Sequence, residues 1–297
     1  MIDETITLPV IKVAAGAGRH AEDIVVREIP VTLYYNGEEI ATVLCSPGQT
    51  RELAIGFLIS EGFLQDRNDL YAIGHHCEEN IVRVEGRSRP AQKQVMNKRV
   101  MSACCGKSRA SFNFENDASL VRVQDSALRI SFEEAAYYAN YLDEHSPLFR
   151  QTGGTHNGGV GYAGEVRYVC HDIGRHNVLD KILGRAYIQN LDLAGHVLFF
   201  SGRISSEILL KVAKMNIPIL VARSAPTALA LALAEDLNIT VAGFARGERL
   251  NIYTCPERIL LAESTLKAIG EQAARPLAAA ATEDLARGVS GRLALAC

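Results

Sequence analysis

From Val25 to Tyr35 and again from Glu38 to Cys45, β-favouring residues dominate. The pair between the two runs, Asn36-Gly37, tolerates positive φ at both central positions of a tight turn, so a hairpin is predicted. After Pro47-Gly48 the period changes: Leu53, Phe57 and Leu58 fall on one helical face, which predicts an amphipathic helix over Thr50–Leu64. Short strands are predicted at Ile81–Glu85 and Arg99–Met101, separated by the polar, basic stretch Gly86–Lys98, read as a loop. Ser131 with Glu134 forms a capping-box pattern that starts a helix over Ala135–Leu142. Beyond it the pattern alternates. Strands are predicted at Glu165–Cys170, His196–Phe200, Ile217–Ala222 and Ile239–Phe244, and helices at Asn177–Ile188, Ser205–Met215 and Thr227–Leu237. That rhythm is the signature of a mainly parallel sheet with helices on its faces.

The expected fold class is therefore α/β. A smaller strand-rich domain is expected over residues 1–115, ending in the loop with Cys104 and Cys105, and a larger α/β domain over 116–297. The tail from about Glu257 is helix-prone, and Ala273–Ala281 is its most biased segment. With 48% hydrophobic and 22% charged residues, the composition excludes a disordered, collagen-like or coiled-coil chain. A net charge of −3 gives no global basic field for nucleic acid or anionic lipid, so anion binding has to come from local clusters. No apolar run approaches the roughly 20 residues that span a bilayer. The first residues, MIDETITLPV, lack the layout of a signal peptide. Seven cysteines at irregular spacing read as reduced thiols, which points to the cytoplasm.

Cys104 and Cys105 are the first candidates for chemistry. They lie in Met101-Ser-Ala-Cys-Cys-Gly-Lys-Ser-Arg-Ala110, where Lys107 and Arg109 would lower a thiol pKa and Gly106 permits close approach. The competing reading is two small core residues at a strand end. Gly106-Lys107-Ser108 imitates the end of a Walker A loop, but Met101 occupies the place of its first glycine. Gly159-Val-Gly161-Tyr-Ala-Gly164 fits a dinucleotide fingerprint by letters yet precedes a strand, so these are read as hairpin or turn glycines. No intrinsic metal is expected: the deaminase signature is missing, and His75-His76 and Cys170-His171 are adjacent pairs that converge poorly on one ion.

Four polar segments of the C-terminal half carry a second kind of signal. They are Thr152–Gly159 with Thr155 and His156; Asp172–Asn177 with Asp172, Arg175, His176 and Asn177; Ser201–Glu207 with Ser201 and Arg203; and Ala222–Thr227 with Arg223 and Ser224. The last three each follow a predicted strand and lead into a helix, which is the carboxyl edge where open α/β sheets bind ligands. Taken singly, each is ordinary helix capping. Together, hydroxyls, helix starts and three arginines make an anion site suited to a phosphate-bearing ligand. Phe244-Ala245-Arg246-Gly247-Glu248-Arg249 adds a further arginine-glycine segment after the fourth strand.

As a set, these stretches resemble the FdhD family of formate dehydrogenase accessory proteins. The resemblance rests on Glu52–Gly62, Cys104–Arg109, Gly153–His156, Asp172–Asn177 with Asp180-Lys181, Ser201–Glu207, Arg223–Thr227 and Gly243–Tyr253, in that order. It implies a three-layer α/β/α, cytidine-deaminase-like domain without the deaminase zinc. It also implies a function: a sulfur carrier that accepts sulfur from a cysteine desulfurase and passes it to the molybdenum bis(guanine dinucleotide) cofactor of formate dehydrogenase. The family's cofactor contact corresponds to Phe244–Arg249, and the family points to a homodimer. Many members carry Cys-x-x-Cys in the thiol loop. Here the first of those positions is Ser102, Cys105 matches the second, and Cys104 is an adjacent extra, so either thiol is a candidate carrier. Two other classes stay open at this point: a guanine-nucleotide-type cofactor-binding and insertion chaperone without sulfur chemistry, and a vicinal-thiol redox sensor.

Overall fold

A computed structural model describes residues 2–76, 78–88, 99–101, 122–123 and 127–271. Its strands are β1 (Thr5–Ala14), β2 (Ala17–Val26), β3 (Ile29–Tyr35), β4 (Glu38–Cys45), β5 (Leu70–His76), β6 (Ile81–Gly86), β7 (Arg99–Met101), β8 (Ile130–Ser131), β9 (His156–Tyr162), β10 (Glu165–Asp172), β11 (Val197–Phe200), β12 (Ile219–Ala222), β13 (Thr240–Arg246), β14 (Arg249–Thr254) and β15 (Ile259–Leu260). The helices are α1 (Thr50–Ser60), α2 (Phe132–Glu144), α3 (Pro147–Thr152), α4 (Arg175–Ile188), α5 (Ser206–Lys214), α6 (Ala228–Asp236) and α7 (Glu263–Glu271). The chain divides into two compact units, one made of Met1–Ser119, Leu142–Val160 and Tyr168–Asp192, the other of Leu120–Tyr141, Gly161–Arg167 and Leu193–Cys297.

The first unit is built on a five-stranded sheet of order β5-β6-β3-β4-β7. β3 and β4 alternate cleanly: Val31, Leu33 and Tyr35, with Ala41, Val43 and Cys45, are buried while their neighbours are not. The expected turn joins them, with φ of 51° at Asn36 and 85° at Gly37. β7 runs parallel to β4, with Met101 opposite Val43. Helix α1 is buried on almost every side, so its apolar stripe is wider than an amphipathic surface helix needs. It crosses α4 at two glycines. A Cβ on Gly56 would collide with the backbone carbonyl of Asp180, and one on Gly184 with that of Glu52. Backbone meets backbone there, and the Ser60 hydroxyl completes the crossing with a 2.7 Å bond to Asp180.

The predicted Val25–Tyr35 strand is two strands. β2 ends at Val26 and pairs back onto β1 in a two-stranded ribbon that the hydrophobic pattern did not reveal, because most of its residues are exposed. β5 was likewise not anticipated: most of its residues are polar, small or exposed, and only its hydrogen bonds to β6 define it.

The second unit contains β11, β12, β13 and β14 side by side, the first three parallel and β14 antiparallel to β13. Val197–Phe200 and Ile219–Ala222 are buried throughout, as continuous apolar runs in a covered parallel sheet should be. Three helix starts carry side-chain caps. Ser131 Oγ accepts from the Glu134 N–H, Ser205 caps α5 through the Ile208 N–H, and Thr227 caps α6 through the Ala230 N–H. Tyr138 of α2 stacks on Phe199 at 5.3 Å. The glycines of residues 159–164 divide: Gly159 and Gly161 lie within β9, whereas Gly164, with φ of 77°, sits in the turn to β10. Among the described residues, no helix is long and apolar enough to cross a membrane.

Candidate functional site

In the second unit, β11, β12 and β13 end together at their carboxyl edge, and the loops that follow are laced to one another. The Arg223 N–H donates to the Phe200 carbonyl at 2.9 Å, the Ser224 hydroxyl to the Ser201 carbonyl at 2.9 Å, and the Ile204 N–H to the Ala225 carbonyl at 3.0 Å. The Phe244 N–H reaches the Ser224 carbonyl at 3.3 Å, which attaches the end of β13 to the same loops. Ser201, Arg223, Ser224 and Phe244 are thereby brought together, and Arg203 lies exposed on the loop between Ser201 and the α5 cap.

Phe244 is the unusual residue of this edge. It has φ of 52° inside a strand, where the β13–β14 register breaks, and its side chain is 45% exposed. A bulky residue in the left-handed region is strained, and strain of this kind gathers at ligand sites. Gly243 before it is tightly enclosed: a Cβ there would lie 3.1–3.2 Å from Tyr253, Pro226 and the Ser224 carbonyl, so these neighbours would have to give slightly. At the hairpin end, Arg246 lies opposite Arg249, both exposed. Like charges facing each other across a strand pair cost stability, so an anion between them would offset that cost. Ala245 is buried, while Gly247 and Glu248 form the exposed turn.

The first unit holds the other predicted residues. Asp172 is fully buried at the junction of β10 and α4. Its Oδ1 accepts from the Gly174 N–H and the Asn177 amide, each at 2.8 Å. Its Oδ2 accepts from the Ser46 N–H and hydroxyl and forms a 2.7 Å ion pair with the buried Lys181. Asn177 also donates to the Leu44 carbonyl, and Lys181 to Ser46 Oγ and the His171 carbonyl. Thus the Asp172–Asn177 segment and Lys181 form a buried hub that fixes the first turn of α4, with Arg175 and His176 half-buried on it. Arg175 Nε and the hydroxyl of Thr155 are buried with no partner among the described residues. His156 opens β9 and is partly exposed.

Ser46 is a member of this hub that sequence reading missed, since a serine after a strand looks like an ordinary turn residue. Unit one also has a cleft of about 860 Å³ lined by Glu4, Gln49, Arg51, His75 and His171 among others. None of the predicted ligand residues lines it.

Cys104 and Cys105 lie outside the described residues. Among the described cysteines, Cys45 and Cys170 are buried, and burial pushes their thiols up to about 12 and about 11. Burial also raises Cys255, whose thiol contacts Asn238. All three are disfavoured as thiolates, the form that carries sulfur.

The chain is a mixed α/β protein with a strand-end site. The model of the FdhD/NarQ family matches residues 26–260, and the chain belongs to that family. It is 43% identical over 243 residues to the sulfur carrier protein FdhD of Halalkalibacterium halodurans, covering 81% of this chain and 90% of that one. It is 41% identical over 253 residues to the protein of the same name from Listeria innocua, covering 82% and 95%. Against that of Staphylococcus aureus (strain Newman) it is 39% identical over 264 residues, covering 88% and 98%. The crystal structure of a candidate formate dehydrogenase accessory protein from Desulfotalea psychrophila superposes with a TM-score of 0.70 over 87% of this chain and all of that one. At 24% identity, that likeness concerns the fold.

Proposed function

We propose that this protein is a cytoplasmic sulfur carrier for formate dehydrogenase. A thiolate at Cys105 or Cys104 attacks the outer sulfur of a cysteine desulfurase persulfide. A new S–S bond forms on this chain, the donor's S–S bond breaks, and the donor cysteine leaves as thiolate. The S–S bond on this chain then breaks: the outer atom passes as sulfane sulfur to the molybdenum bis(guanine dinucleotide) cofactor, which is the substrate of the transfer, and the carrier cysteine is left as thiolate. In this reading the protein is a sulfurtransferase working through a persulfide, on a three-layer cytidine-deaminase-like α/β/α domain, as a homodimer.

The nucleotide half rests chiefly on one observation. Three parallel strand ends present Ser201, Arg203, Arg223, Ser224 and the strained, exposed Phe244 on loops bonded to one another, with Arg246 facing Arg249 beyond. Guanidinium pairs hold a diphosphate bidentately, and an exposed aromatic offers a stacking face to a base. Thr155, His156, Arg175 and His176 are cofactor-binding candidates of the first unit in their own right, with Asp172 and Asn177 holding the loop that carries Arg175 and His176. The sulfur half rests on family membership, on relatives that bear the sulfur carrier name, and on the unsuitability of the buried thiols.

Titrating GDP into the protein by calorimetry tests the nucleotide half. Arg203→Ala or Arg223→Ala should weaken binding by roughly 1.5–3 kcal/mol, the range for hydrogen bonds to charged groups. Lysine at either position should restore part of it, lacking the planar fork. Unchanged affinity in both alanine variants would make these arginines structural and remove this site.

A further inference from the structure

The turn of the β13–β14 hairpin is held from outside the hairpin. Asn140, half-buried on α2, donates from its amide to the Gly247 carbonyl at 3.1 Å and accepts from the Gly247 N–H at 2.9 Å. One side chain thus satisfies both backbone groups of a single residue, as a neighbouring strand would. Gly247 needs this support. It has φ of 56°, a conformation glycine adopts without penalty, and it sits at an exposed tip between the facing Arg246 and Arg249. Left alone, the repulsion between the two guanidiniums would spread the tip.

We propose that Asn140 is a positioning residue that holds the Arg246–Arg249 pair in register for the phosphates of the guanine nucleotide. The proposal rests on the nucleotide-binding reading above. Asn140 is assigned no contact of its own with the ligand. It acts through the turn, 107 positions along the chain.

Wild type and Asn140→Ala are compared by three readouts: GDP affinity by calorimetry, hydrogen exchange of the Gly247 amide, and the midpoint of thermal unfolding. The alanine variant is expected to bind GDP about tenfold more weakly, the equivalent of one or two lost hydrogen bonds. Its Gly247 amide should exchange freely, while the unfolding midpoint falls by no more than about 4 °C, as for loss of one exposed pair in a chain of this size. Asn140→Asp keeps the acceptor for the N–H but offers no donor to the carbonyl. It should also weaken GDP binding, and it replaces the alanine variant should that fail to fold. Wild-type affinity in a variant whose Gly247 amide has lost protection would overturn the positioning role and leave the nucleotide site standing. Failure of the wild type itself to bind GDP would instead overturn the nucleotide reading, and this proposal with it.

Discussion

Replacing Gly184 or Gly56 by alanine is expected to lower stability severely, although the same change inside an ordinary helix raises it by about 1 kcal/mol. The sign reverses because each glycine faces backbone. A Cβ on Gly184 would overlap the Glu52 carbonyl and crowd the Gly56 nitrogen, and one on Gly56 would overlap the Asp180 carbonyl. A flexible side chain could rotate away, but a helical carbonyl cannot. α1 and α4 would have to separate, opening the Ser60–Asp180 bond and the packing of Leu53 and Phe57. The expected loss is about 3 kcal/mol or more, at or beyond the upper end for overpacking. Urea unfolding checks it: the midpoint should fall in both variants. An unchanged or higher midpoint in either would mean that the helices do not cross at these residues.

The second large effect is expected at the buried hub. Asp172→Ala removes the acceptor shared by Lys181, Ser46, Gly174 and Asn177 and leaves a charged lysine with 0% exposure. Stranding one member of a buried ion pair costs roughly 3–5 kcal/mol. Replacing both charges by apolar residues should recover only part of this, because the Ser46 and Gly174 N–H groups would still be stranded. Equilibrium denaturation of the single and double variants separates these contributions. A loss under about 1 kcal/mol for Asp172→Ala, the range of an exposed pair, would show the hub to be open to water.

These two sites show how far the sequence carries. Strands β11 and β12 were legible because four consecutive apolar residues between polar breaks have few alternatives. The Asn36-Gly37 turn and the Ser131, Ser205 and Thr227 starts were legible because their chemistry is local. The N-terminal ribbon and β5 were not, since neither buries a periodic face. Asp172 and Asn177 stood out as polar residues after a strand, but nothing in that pattern tells an inward hub from an outward ligand loop. The difference lies in Ser46 and Lys181, the former 126 positions away. Gly56 stood within a family-like motif, yet the reason for a glycine there exists only in its helical neighbour α4. Likewise Phe244 gave no sign of its left-handed backbone, and Asn140 none of its hold on Gly247.

In the proposed reaction, sulfur travels on Cys104 or Cys105. That route is tested most directly by incubating the protein with a cysteine desulfurase and cysteine, then reading the mass of the intact chain and of its peptides without a reductant. The wild type should gain at least one sulfur atom on the peptide containing Cys104 and Cys105. Cys104→Ala combined with Cys105→Ala should gain none and fail to support formate dehydrogenase, while unfolding with the same cooperativity. Sulfur that remains on the double variant, or that appears instead on Cys45, Cys170 or Cys255, would contradict that route.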